Sequence, residues 1–360
     1  MSTLTTNYLA PTGREEAWRF TPISKLGALL GADATISQSE TLTASSSLAA
    51  GVTLTSLENV APLSATEDLV AIRVREIVAG AQVLEIAANA EISDPITLKR
   101  TISAAGAVAS RLLVKVGVNA HATLIIENAG EATLAEEIEF DLASGANLTF
   151  VTLQEWGQSA IHLAKHHAIV GKDALFISTV VTIGGSIVRI LPTVEYSGQG
   201  SSADLAGVYF ATDGQHQEHR IFIDHNLPNA KSRVNYKGAL AGDKAHSVWI
   251  GDVYIRANAE GTDTYELNRN LLLTDGARAD SVPNLEIETG EIVGAGHAST
   301  TGRFDDEQLF YLESRGIPAD EARRLVIRGF FAEIVNRINI DEIEDRIMDR
   351  IDSELAKVGE

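Results

Sequence analysis

The 360-residue chain has no cysteine. A disulfide framework, a thiolate metal site and a thiol nucleophile are therefore all excluded from it. Aromatic residues make up only 6%, which is little material for stacking a ligand. Basic residues are also scarce: 29 Lys and Arg stand against 49 Asp and Glu, a net charge of −20. Nucleic acids and anionic membranes are recognised by dense positive charge, so neither is expected as a partner. A basic protein surface remains compatible. No apolar run approaches the roughly 18 residues of a membrane-spanning helix. The first residues, MSTLTTNYLAPTGREEAW, lack a basic stretch followed by an apolar core, so no secretory signal is read there and a cytoplasmic location is expected.

What the chain does have is 45% hydrophobic residues against 22% charged, enough for a sizeable core. Three patterns divide it. Residues 1–60 form an N-terminal helical and linker segment. Thr12 or Gly13 can cap a short helix through Trp18, and the Ser/Thr/Ala-rich stretch 37–56 reads as a poorly specified linker. Residues 61–302 form the core. Alternating apolar runs such as TLIIEN, NLTFVTL, ALFISTVVTI, HRIFIDH and HSVWIGDVYI are separated by turn signals such as SGAN, GKDA, TDGQ and AGDKA. A loose unit of turn, alanine and strand recurs as SGANLTF, GKDALFI and GDKAHSVWI. Many short strands with no helix between them suggest a sandwich, a barrel or a solenoid, and the small-residue turns favour the solenoid.

Residues 303–360 switch to a 3.6-residue period and form a C-terminal helical domain. Asp305 or Asp306 can cap a first helix, Gly316 can stop it, and Pro318 can open a second at an N1-like position. The second carries Ala322, Leu325, Val326, Phe330, Ile334, Val335 and Ile338, and a third carries Ile343, Ile347, Ile351 and Leu355. These helices are expected to cover the open end of the solenoid.

Three histidine-bearing stretches are candidate sites. HLAKH, residues 162–166, lacks the glutamate of a zincin helix and lies among strands. There its histidines would share a face about 13 Å apart, and a solvated face is expected. In GQHQEHRIFIDH, residues 214–225, His219, Ile221, Ile223 and His225 share one parity and Arg220, Phe222 and Asp224 the other. Stacked polar ladders are favoured there over an oxygen/nitrogen metal site. His297 stands alone among Gly296, Ala298, Ser299 and Thr300, neighbours too small to bury it.

Five blocks carry a family resemblance: GREEAWRFTPI (13–23), IGGSIVRILPTVEYSGQGSSADLAGVYF (183–210), GQHQEHRIFIDHNLPNAKSRVNYKGAL (214–240), NRNLLLTDGARADSVPNLEI (268–287) and GHASTTGRFDDEQLFYLESRGI (296–317). In order and spacing they resemble the SufB/SufD family, scaffold subunits of the SUF iron–sulfur cluster assembly system. The absence of cysteine places the chain with the SufD branch, since SufB members are usually longer and carry cysteines for the nascent cluster. The resemblance implies a mainly β fold, a right-handed parallel β-helix flanked by helical N- and C-terminal parts. It implies a heterodimer with a SufB homologue, a homodimer being plausible in isolation, and docking of the SufC ABC-type ATPase on the C-terminal helices. It implies a non-catalytic scaffold, ATP hydrolysis being the task of SufC. A nascent Fe–S cluster would be held transiently and shared with SufB, and none by this chain alone. The family pattern of His, Gly-Ala-Thr and Gly is met here by His297, Ala298, Ser299, Thr300 and Gly302, with alanine where the family has its first glycine. His297 then corresponds to the cluster-ligand position at the SufB interface, and imidazole suits iron. Leu325, Phe330, Phe331 and Ile334 are the residues expected to bind SufC. Two alternatives are a β-helix carbohydrate-active enzyme, which the scarcity of aromatics disfavours, and a SufB-like homologue with a purely structural role.

Overall fold

In a computed structural model, which describes residues 10–38, 41–103, 106–304 and 306–357, the chain winds as a β-solenoid. One sheet runs through the strands Val52–Leu57, Ala81–Ile86, Ala107–Val116, Thr133–Leu142, Ile161–Val170, Ile187–Tyr196, His216–His225, His246–Ile255 and Arg278–Ile287. The facing sheet runs through Thr43–Ala44, Ile96–Ile102, His121–Gly130, Asn147–Trp156, Leu175–Ile183, Ser202–Ala211, Lys231–Leu240, Asp263–Leu272 and Gly294–Arg303. The first pairing in each of these sheets is antiparallel and the others are parallel, each coil giving one strand to each sheet. Residues 37–56, expected to be a linker, instead contribute strands, because a Val-Thr-Leu-Thr alternation suffices for an edge position.

The coils differ in length, and this hid the repeat in the sequence. In the second sheet Asn147 pairs with Leu175, Ser202 with Lys231, and Lys231 with Asp263. The corner residues stay constant in role. Asn89, Asn119, Asp173 and Asn229 take a positive φ, a conformation open to Asn and Asp at little cost. The alanines at 120, 146, 174 and 230 are buried inside the corners.

Inside the solenoid, alternate residues of both sheets interdigitate. Two tyrosines are accommodated by glycines in register: Gly207 lies beside Tyr236, and Tyr209 beside Gly238. A Cβ on Gly207 would come within 2.1 Å of the Tyr236 ring, and one on Gly238 within 1.8 Å of the Tyr209 ring.

Both outer faces are covered along the middle of the solenoid. On the first sheet lie the N-terminal segment, α1 (Gly27–Leu30) and α2 (Leu69–Ile77). Asp68 caps α2 by accepting from the Ala71 N–H. On the second sheet lie α4 (Ala319–Val335) and α5 (Asp341–Lys357), preceded by α3 (Asp306–Ser314). Ile327, Phe331, Ile334, Ile343, Ile347 and Ile351 pack onto Val151, Val181, Val208 and Phe210 of that sheet. The C-terminal helices thus cover a flank and not the open end. The cause lies in the strands: their outward positions are apolar, and they take up the apolar stripes of α4 and α5. Pro318 sits at the N-cap of α4, one position before the expected one. The cap candidate Asp305 lies outside the described residues. Among the described residues no helix is long and apolar enough to cross a membrane.

Candidate functional site at the open end

The histidines of 162–225 serve the solenoid itself. His162 and His166 share a face of a strand, as expected, but that face is the interior and not solvent. His162 Nδ1 accepts from the Trp156 indole N–H at 3.2 Å, and Nε2 meets Glu136 at 3.1 Å. Burial lowers the pKa of His162 and pushes that of His166 down to about 4. Burial raises the carboxyl pKa of Glu136, but the Arg100 guanidinium at 2.5 Å and the His162 contact outweigh it, and the group lies far below the usual range. His219 stacks on Tyr209 and bonds Thr182 at 3.0 Å; His225 bonds Ser232 at 2.9 Å. Both are held neutral, near 3 and 4, chiefly by burial. Among the described residues no three His, Asp or Glu side chains converge to hold a metal.

On the outer face the same stretch anchors the N-terminal segment. Thr21 donates to Glu218 at 2.8 Å, Arg189 donates to Glu218 at 3.1 Å and to the Ala17 carbonyl at 3.0 Å, and Trp18 lies 4.0 Å from the Arg189 guanidinium. Burial alone would raise the carboxyl of Glu218; Arg189 and His216 reverse this and hold it near 2. A second ladder crosses coils: His216 contacts Glu218 at 3.0 Å and His246 at 3.1 Å, and His246 contacts Asp280 at 2.7 Å. The motif GREEAWRFTPI therefore has a structural cause, since it places Trp18 and Thr21 on a buried ion pair.

The open end is different. Arg278–Ile287 and Gly294–Arg303 each pair with one neighbouring strand, and among the described residues no strand covers their outer edges. Neither strand contains a buried residue. Ile287 is 45% exposed and Val293 75%. His297 lies in this last strand and is exposed. It pairs in register with Glu266, which belongs to the inward set with Thr264, Asn268 and Asn270. By that parity His297 faces the mouth of the interior. It also lines a cleft of about 760 Å³ that passes over the sheet edge to Phe222, Asp252, Tyr254, Asn284 and Glu286.

Beneath His297 is a residue that motif reading missed. Glu266 is 1% exposed, and among the described residues neither carboxyl oxygen has a hydrogen-bond partner. Burial, followed by the charge of Asp252, pushes its pKa up to about 8. Its carboxyl occupies space left by Gly251, where a Cβ would come within 1.9 Å of Oε2. The signal available in the sequence was parity alone, a lone glutamate on the inward face of DTYELNRN.

The residues expected to bind a partner on the helical side divide. Phe331 and Ile334, expected to bind a partner, are fully buried against the sheet in this chain, where their stripe packs on its own core. Phe330 is partly buried on the same cluster, and its carbonyl accepts from Lys237 at 2.9 Å. Leu325 is 46% exposed, and Phe310 and Tyr311 of α3 are more so.

The chain is thus a mainly β solenoid with helical layers on both flanks and an open end that carries an imidazole. Residues 100–330 match the family model described as "SUF system FeS cluster assembly, SufBD core domain". The chain is 47% identical to an iron–sulfur cluster assembly SufBD family protein of Mycobacterium tuberculosis over 356 residues, covering 96% of this chain and 89% of that one. A SufBD family protein of Mycobacterium leprae is 44% identical, with 96% and 91% covered. The iron–sulfur cluster assembly protein SufD of Escherichia coli is 28% identical over 215 residues, 60% of this chain and 50% of that one. The chain belongs to the SufBD family of the SUF iron–sulfur cluster assembly system, as a SufD-like member.

Proposed function

We propose that the chain is the SufD-type scaffold subunit of a cytoplasmic SufBCD-type assembly and has no catalytic activity of its own. The observation that carries this reading is the open end. Two strands there leave their edges unpaired, and unpaired edges are templates for another chain's strands. A homologous solenoid would continue both sheets end to end. His297 would then face the junction, and its imidazole could serve as one iron ligand of a nascent cluster whose thiolates come from the SufB-type partner. Without cysteine this chain holds no cluster alone. On the flank, the exposed residues Leu325, Phe310 and Tyr311 are the surface we assign to a SufC-type ATPase, in place of the buried Phe331 and Ile334. ATP-driven movement of that subunit would shift the population of closed and open junctions.

The test is anaerobic co-expression with the SufB- and SufC-type subunits of the same source, followed by iron and sulfide analysis. A three-protein complex with labile sulfide is expected, and His297→Ala should assemble normally but carry less iron. A chain that purifies alone, without partner or iron, would overturn the reading.

A further inference from the structure

Glu266 is a buried carboxyl with no donor on either oxygen among the described residues. A buried polar group left unsatisfied costs about 1–3 kcal/mol, so its persistence calls for a physical reason. The next two inward residues of the same strand are matched: Asn268 and Asn270 bond Tyr209, Ser281 and each other. Glu266 is the buried carboxyl among them with both oxygens unpaired; the Trp249 indole N–H and the Ser247 hydroxyl beside it also lack a partner among the described residues, and Glu266 lies one coil below His297 in direct register. Adjacent strands are about 4.8 Å apart, so the two side chains stack on one face within reach of a rotamer change. Two further residues keep the carboxyl in place. Gly251 leaves it room that any side chain would fill, and Trp249, fully buried, stands beside that space.

Their exposures separate the roles. His297 lines the cleft and is exposed; Glu266 is sealed beneath and forms no part of the cleft wall. Only the imidazole can touch cargo. An imidazole that binds metal through one nitrogen usually donates its other N–H to a carboxylate, which fixes the ring's orientation and raises its basicity.

We propose that Glu266 is the positioning residue for His297, accepting the second ring N–H once the open end is covered by a partner. This rests on the reading of His297 given above. The free chain leaves the imidazole turned to solvent and the buried carboxyl group without a partner among the described residues, and closure of the end brings the two together.

The experiment uses the cluster-bearing complex purified with its SufB- and SufC-type subunits. Parent, Glu266→Gln, Glu266→Asp and His297→Ala complexes are compared by pulsed EPR for a histidine nitrogen coupling to the reduced cluster. Iron loss to a chelator is timed in parallel, and complex assembly and thermal midpoint serve as structural controls. The parent should show the coupling and His297→Ala should lose it. Glu266→Gln should alter the coupling and release iron about tenfold faster at unchanged assembly, as expected for loss of a ligand's carboxylate partner. Glu266→Asp should restore part of the retention. Should Glu266→Gln keep both the coupling and the release rate while His297→Ala loses them, the positioning role is wrong and the ligand reading stands. A parent complex without any histidine coupling would overturn both.

Discussion

The middle coils and the last coil are built from the same kind of strand, yet they end in opposite states. In His216–His225 and His246–Ile255 most residues are buried, inward histidines have partners, and the outer face carries an ion pair clasped by Trp18 and Thr21. In Arg278–Ile287 and Gly294–Arg303 nothing is buried, and among the described residues the edges are unpaired and the inward glutamate below has no donor. Strand chemistry alone does not explain the difference. The middle is finished by sequence-distant segments, the N-terminal strap and α4–α5, whereas among the described residues no strand covers the end. That contrast is what the proposal of an assembly face at the open end rests on.

The contrast can be broken most forcefully on the covered flank. Phe331→Asp places a carboxylate in a sealed apolar cluster and should abolish folding; Phe331→Ala should cost about 3–5 kcal/mol, measured by urea unfolding. The bare end should behave in the reverse manner. Ile287→Lys combined with Val293→Lys, both at exposed positions, should leave the thermal midpoint of the free chain within about 2 °C, as surface changes do. It should weaken binding of a SufB-type partner at least about tenfold, roughly 1.4 kcal/mol, by titration. Within the sealed middle, Gly238→Ala forces a methyl group against the Tyr209 ring and should cost about 1–3 kcal/mol.

The strap adds a pH test. The Glu218 pKa is lowered from its ordinary value of 4.5 to about 2. Its contribution is therefore fully present above pH 4.5 and is lost as pH falls from there toward 2. Acid should loosen the N-terminal segment in that window, read as increased proteolysis near Trp18, and Glu218→Gln should flatten the dependence. Leu325→Ala gives the smallest effect, within about 0.5 kcal/mol on stability; any marked change should appear in binding of the SufC-type ATPase.

Much of this was legible in the sequence because local chemistry decided it. The corner units around Ala146, Ala174 and Ala245, the parity of His219 through His225, and the periods of α4 and α5 are set within a few residues of themselves. What was not legible depended on coil stacking. The burial of His162 and His166 follows from which face of their strand turns inward, and alternation alone does not reveal that. Phe331 and Ile334 were placed on a partner surface because a helical stripe does not say whether its complement lies in the same chain. Val151, Val208 and Phe210, more than a hundred residues earlier, supply that complement. Glu266 and His297 are 31 positions apart and become neighbours only through the register of the last two coils.

The most direct test of the account is amide hydrogen exchange on the chain alone and in its SufB–SufC-type complex. Protection gained in residues 278–303, with the interior of the middle coils unchanged, is the expected result. Exchange in 278–303 that stays as fast in the complex as in the free chain would contradict the claim that the open end is the assembly face.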